Sequence, residues 1–192
     1  VIMPVKDGGE HLRISIASIL KQSYGEVNEI ILGVGPSSDD THQIVNELKA
    51  TEPRIKIIQN PSGKTANALN AAASIATGDY LVRVDTHCKL ERDYIQQAIE
   101  TMIRTGAANV GGIQKAEGTS TIQKSIAVAM TSQFGVGNSQ FHYGGSEGPA
   151  DTVYLGVYDT EVFRGLGGFN EDLVRNQDYE LNIRIRASGN TV

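Results

Sequence analysis

Apolar residues gather along the chain in short β-rich runs at fairly even intervals: Val1 to Val5, Glu29 to Val34, Arg54 to Gln59, Tyr80 to Val84 and Ala108 to Ile113. Each run predicts a strand, and each of the first four leads into a helical pattern. Leu12, Ile16, Ile19 and Leu20 fall on one face of a helix. Pro36, Ser37, Ser38 and Asp39, good first-turn residues, precede a helix carrying Ile44, Val45 and Leu48. Thr65 to Ala76 is alanine-rich, and Tyr94, Ile95, Ala98, Ile99 and Met102 repeat the helical period. Strands alternating with helices predict βαβ units, whose right-handed crossovers build a parallel sheet covered on both faces. Ligands of such α/β sheets bind at the carboxyl ends of the strands.

Beyond Ile113 the rhythm changes. Thr119 to Gln133 reads as one more helix, and five glycines then punctuate a polar stretch, 135–149, expected to be a flap that closes over a ligand. A strand from Thr152 to Tyr158, a short turn of helix, a Gly-Gly-Phe at Gly167 to Phe169 and a last helix from about Gln177 to Ala187 complete the pattern. The 192 residues suit a single domain, and because the chain opens inside a strand it is expected to be a piece of a longer protein.

Composition narrows the function. A net charge of −5 with scattered basic residues offers no field for a phosphate backbone, so nucleic acid is not an expected partner. The single cysteine, Cys88, has no thiol partner in the chain and fits a reducing compartment, where it reads as a small buried apolar residue. No apolar run approaches the ~20 residues that span a bilayer. Membrane contact would come from segments outside this chain.

Three motifs could carry chemistry. Asp85-Thr86-His87 leaves a strand end with a carboxylate and an imidazole two residues apart, able to reach one metal ion; a turn cap beside a surface histidine is the other reading. Asp178, in Asn176-Gln177-Asp178-Tyr179-Glu180, opens a helix, where it could cap free amides or face the same crevice as Asp85. Gly63-Lys64-Thr65 ends like a P-loop, but Ile58 stands where the first glycine belongs, which leaves Lys64 and a helix N-terminus as a looser diphosphate site or a solvated lysine. Gly33-Val34-Gly35 lacks the third glycine of a dinucleotide fingerprint, Ser38 standing in its place. His11, His42 and His142 have no partner at metal-ligand spacing and read as surface residues.

Taken in order, Val1 to Val5, Glu29 to Thr41, Asn67-Ala68-Leu69-Asn70, Asp85-Thr86-His87, Gly167 to Glu171 and Gln177-Asp178 resemble the inverting family-2 glycosyltransferases of the GT-A fold, over nearly the whole chain. Within that family the chain is similar to bacterial exopolysaccharide transferases of the succinoglycan type. The resemblance implies a Rossmann-like, mostly parallel sheet and transfer of a sugar from a nucleoside-diphosphate sugar to a glycan or lipid-linked acceptor with inversion. It implies a divalent metal, Mn2+ or Mg2+, on Asp85 and His87, with Asp178 as catalytic base. Pro4, Lys64, Asn67, Arg83 and Gln177 would bind substrate. Polysaccharide synthesis in the bacterial cytoplasm, at the inner face of the membrane, follows from the same likeness. The chain departs from the family at Val34 and Gly35, where aspartates usually contact the base, and at His87, where the second motif aspartate usually stands. A sugar nucleotidyltransferase and a non-catalytic transferase-like binding domain are the competing readings. Against the first, Lys6 to Glu10 carries one lysine and two acids rather than a basic glycine-rich loop.

Overall fold

In the computed structural model, which describes residues 1–115 and 147–192, six strands form one twisted layer between two sets of helices. In chain order they are β1 (Ile2–Val5), α1 (Gly9–Leu20), β2 (Ile30–Val34), α2 (Thr41–Thr51), β3 (Ile55–Gln59) and α3 (Thr65–Ile75). There follow β4 (Tyr80–Val82), α4 (Tyr94–Thr105), β5 (Asn109–Gly112), β6 (Tyr154–Asp159), α5 (Thr160–Gly165) and α6 (Gln177–Ala187). The helix expected over 119–133, and all of the expected flap but 147–149, lie outside the described residues.

β1, β2 and β3 are parallel and adjacent, with Ile2 opposite Ile31 and Ile30 opposite Ile55. β4, β6 and β5 form a second three-stranded sheet. The two meet at a parallel bridge between Ile2 and Arg83, beside which the Val84 amide donates to the Ile2 carbonyl at 3.1 Å. Strand expectations hold to within two residues, with one difference of substance. β6 runs antiparallel between β4 and β5, so the sheet is mostly but not wholly parallel.

Period-2 alternation sorts the strand residues onto two faces. Met3, Ile30, Leu32, Val82 and Val157 face α1, α2 and α4, which contribute Leu12, Ile16, Ile44, Ile95 and Ile99. Ile2, Ile31, Leu81 and Tyr158 face α3, α5 and α6 through Leu69, Ala72, Phe163, Leu181 and Ile185. With both faces covered, the ligand-accessible edge is where the parallel strands end and their loops begin.

The alanines of α3 let it approach β2 closely at Gly33. A Cβ built there would lie 2.7 Å from the Ala68 carbonyl oxygen and 2.9 Å from its Cβ, and a helix backbone cannot swing aside. Gly33→Ala is expected to overpack the seam and cost about 1–3 kcal/mol. Denaturant unfolding reads this directly, and a variant as stable as the parent would refute the close approach.

Candidate active site

The loops that follow β1, β3 and β4, together with the segment before α6, enclose a cleft of about 400 Å³, within the range of small-ligand sites. Pro4, Lys6, Asn60, Lys64, Arg83, Asp85, His87, Arg175 and Gln177 are among its lining residues. Just past β4 the Arg83 amide still donates to the Gly156 carbonyl of β6 at 3.0 Å while Arg83 bridges to Ile2 of β1, and the chain then turns so that the Cys88 amide donates to the Asp85 carbonyl at 2.9 Å. Buried Thr86 anchors this turn, its hydroxyl donating to the Pro4 carbonyl at 2.7 Å. The residues on either side, Asp85 and His87, thereby face the cleft.

Arg83 sits beneath that turn with its side chain only 8% exposed. Its Nε and Nη2 donate to the two oxygens of Asp85 at 2.9 and 3.1 Å, a bidentate fork. Its third nitrogen, Nη1, donates to Oδ1 of Asp178. Asp85 and Asp178 therefore share one cation; Asp85 lines the cleft, whereas Asp178 is reached through Arg83 and is not itself among the lining residues. The capping reading of Asp178 fails: the helix N-cap is Asn176, in a left-handed conformation at φ 61°. Asp178 instead accepts from Arg83 and, at 3.4 Å, from the Tyr158 hydroxyl.

Burial pushes the Asp178 carboxyl above its ordinary range; the Arg83 charge opposes that push and the Asp85 charge adds to it. Burial also works against the Arg83 charge, but Asp85 and Asp178 outweigh it and hold the guanidinium firmly protonated. The wholly buried Tyr158 phenol is pushed well up by burial, with the Asp178 charge acting the same way, so it stays a hydrogen-bond donor.

Other expected site residues are placed less uniformly. Pro4 and Lys64 line the cleft, and the Lys64 ammonium donates to the Glu171 carbonyl at 3.2 Å. Gln177 is buried and donates to the Val174 carbonyl at 3.0 Å, so it braces the loop before α6. Arg83 touches the cleft, but its donors are engaged by the two carboxylates. Asn67 is not brought to the cleft: it lies in a neighbouring groove and donates to Glu171 at 2.5 Å, because its position on α3 turns it toward the Gly167 to Glu171 loop. His11 has a neighbour after all, its ring centroid 5.1 Å from that of His87, since α1 begins where the Asp85 turn folds back. His42 is exposed as expected, and His142 lies outside the described residues.

Lys6 and Arg175 are cleft cations that the motifs did not single out, and both are exposed and enter no ion pair among the described residues. Their signal was positional only: Lys6 follows β1 directly, and Arg175 immediately precedes Asn176-Gln177-Asp178. Cys88 is partly buried with its sulfur 2.8 Å from the Tyr154 hydroxyl.

For a divalent cation, the donor set at hand is Asp85 and His87. Asp85 is 32% exposed, and a carboxylate has about four acceptor positions, so the fork from Arg83 leaves room for a metal. No group of three His, Cys, Asp or Glu side chains converges on one point among the described residues. This set fits a cation that takes its remaining ligands from phosphate oxygens and water, rather than one caged by protein alone. Nor is any helix among the described residues long and apolar enough to cross a membrane.

Residues 1–165 match the family model of glycosyl transferase family 2. The succinoglycan biosynthesis protein ExoA of Rhizobium meliloti (strain 1021) is 30% identical over 192 residues; the match covers 98% of this chain and 58% of that protein, so the chain spans about three-fifths of this relative's length. Among solved structures, the mannosyltransferase PcManGT from Pyrobaculum calidifontis, in complex with GDP-Man and Mn2+, superposes with a TM-score of 0.74 at 19% identity, over 99% of this chain and 52% of its own. Staphylococcus aureus TarS 1-349 in complex with UDP-GlcNAc gives 0.70 at 18% identity, over 95% and 51%. These likenesses establish the GT-A fold, and the family match over most of its length establishes that the chain belongs to glycosyl transferase family 2.

Proposed function

We propose that this chain is the catalytic domain of a glycosyltransferase that moves a sugar from a nucleoside-diphosphate sugar to an acceptor hydroxyl with inversion, in the synthesis of a bacterial polysaccharide or cell-envelope glycan. The observation that carries this reading is the pairing of Asp178 with Asp85, which lines a ligand-sized cleft, on one buried arginine. Family membership supports the reaction class, and the GDP-Man and UDP-GlcNAc held by the two structural neighbours support a nucleotide-sugar donor. The name of the succinoglycan relative supports the pathway class.

In this mechanism Lys6, Lys64 and Arg175 attract the diphosphate to the cleft, their charges acting over a short, partly desolvated distance. Asp85 and His87 would hold a divalent cation, Mn2+ or Mg2+, which when bound stabilises the negative charge left on the diphosphate. As the bond between the anomeric carbon and the diphosphate oxygen breaks, an acceptor hydroxyl attacks from the opposite side of the sugar. Asp178 takes the proton from that hydroxyl, help typically worth roughly 10²- to 10⁴-fold. Arg83 keeps Asp178 oriented and favours its ionised form, while the buried Tyr158 hydroxyl donates to the same oxygen.

The decisive experiment incubates the full-length protein with UDP-glucose, UDP-N-acetylglucosamine or GDP-mannose, with and without Mn2+, and follows protection against thermal unfolding and release of nucleoside diphosphate. A ligand at 100 times its Kd stabilises the folded state by about 2.7 kcal/mol. Protection and diphosphate release support transfer. Pyrophosphate release from a nucleoside triphosphate would favour a nucleotidyltransferase instead, and absence of binding a non-catalytic domain.

Asp178→Asn is expected to bind donor within twofold of the parent and to lose about 10²-fold or more in turnover; transfer at the parent rate would remove Asp178 from the base role. Asp85→Asn is expected to weaken Mn2+-dependent binding of UDP or GDP at least about tenfold, roughly the loss attached to a disturbed metal site, as read by calorimetry. The pH dependence follows from Asp178 working only as a carboxylate. Turnover falls as pH drops through its pKa, and because burial raises that pKa, the acid limb of kcat lies above the ordinary aspartate value of about 3.9. Arg83→Gln, which removes the opposing positive charge, moves the limb further up; a limb that stays put would exclude Asp178 as its source.

A further inference from the structure

The Gly167-Gly168-Phe169 motif takes no part in the chemistry above, yet it lies directly beneath it. Phe169 is 2% exposed, and its ring touches both side chains that donate to Asp178. The guanidinium carbon of Arg83 stands 5.7 Å from the ring centroid, and the Tyr158 ring meets it edge-on at 5.9 Å. Phe163 closes the cluster at 5.2 Å from Phe169 and 5.4 Å from Tyr158. A displacement of Phe169 would therefore move both hydrogen-bond donors of Asp178 together.

What fixes Phe169 is Asn70, which reaches over from α3. Its Oδ1 accepts from the Phe169 amide at 2.8 Å, and its Nδ2 donates to the Phe169 carbonyl at 2.8 Å. A single side-chain amide thus pairs with both backbone groups of one residue, as a neighbouring strand would. The same Nδ2 lies 3.0 Å from Glu171 Oε1. Gly168 makes this possible: a Cβ there would lie 2.5 Å from Asn70 Oδ1, and its φ of +71° is itself suited to glycine. From the other side, Arg184 of α6, the helix that bears Asp178, donates to the carbonyls of Leu166 and Gly168, both at 2.6 Å.

We propose that Asn70 is a positioning residue for the reaction: by clamping the backbone of Phe169 it sets the ring on which Arg83 and Tyr158 rest, and through them the direction of the Asp178 carboxylate. This inference rests on Asp178 being the base. Asn70 is partly buried under the loop and outside the cleft, so it acts at a distance from the sugar. An amide is the side chain of this size that offers a donor and an acceptor at once. Asparagine is therefore demanded here, beyond any preference of the helix.

The test is Asn70→Asp in the full-length protein. The substitution keeps the volume and the acceptor for the Phe169 amide but sets an oxygen against the Phe169 carbonyl. With whichever of UDP-glucose, UDP-N-acetylglucosamine and GDP-mannose the parent turns over, kcat is expected to fall at least about tenfold while KM for the donor stays within twofold. Combined with Asp178→Asn, the same change should cost less than about twofold more, because its effect runs through that carboxylate. A kcat within twofold of the parent would overturn the proposal, as would a tenfold loss that persists in the Asp178→Asn background. Asn70→Ser, which shortens the side chain without adding charge, is read by the same criteria if the aspartate variant fails to fold. Transfer by Asp178→Asn at the parent rate would instead remove the base assignment itself, a result separable from any behaviour of Asn70.

Discussion

The site depends on one buried guanidinium held between two carboxylates. A charge as enclosed as that of Arg83 is unfavourable unless its donors are met, and here three of its nitrogens go to Asp85 and Asp178. The arrangement is worth more as geometry than as stability, since the gain from a buried ion pair is largely offset by the cost of drying its members. What it supplies is a fixed separation and a fixed orientation for two side chains that lie far apart in the sequence. One lies just past β4 and the other in the first turn of α6, and neither element touches the other through a strand ladder.

Much of this architecture is legible from hydrophobic spacing. The alternation of short apolar runs with helical faces marks every described strand and the longer helices, the short turn expected before Gly167 is α5, and the last helix, Gln177–Ala187, coincides with the expected one. Periodicity identifies a strand without naming its partner, and this is why β6 was not foreseen between β4 and β5. Its central residues are buried on both faces, as in any interior strand; only the pairing of Tyr158 with Leu81 and Asn109 reveals the insertion. That pairing matters chemically, because it delivers the Tyr158 hydroxyl to Asp178.

The candidate site was legible in its carboxylates and less so in what supports them. Asp85 and Asp178 stand at positions where a strand ends and a helix begins, and such positions announce themselves. Arg83 carried a signal that could have been used: two residues before Asp85 on an extended chain, it lies on the same side. A pair rather than a substrate contact was the simpler inference. Asn67 and Asn70, three apart on one helix, share a face, and both turn to the loop bearing Glu171. Nothing local distinguishes the amide that clamps a backbone from one that waits for a ligand. That difference belongs to tertiary structure, as do the ring cluster around Phe169 and the approach of His11 to His87.

The join between the two three-stranded sheets has a mechanical meaning. It is made where Ile2 meets Arg83, so the residue that stitches the backbone halves together also grips both acids with its side chain. Any slippage along that suture would be felt at the two carboxylates of the candidate site before it reached the rest of the molecule. Scaffold and chemistry are fastened by a single rivet, and drift in the surrounding framework is tolerable only while that rivet stays seated.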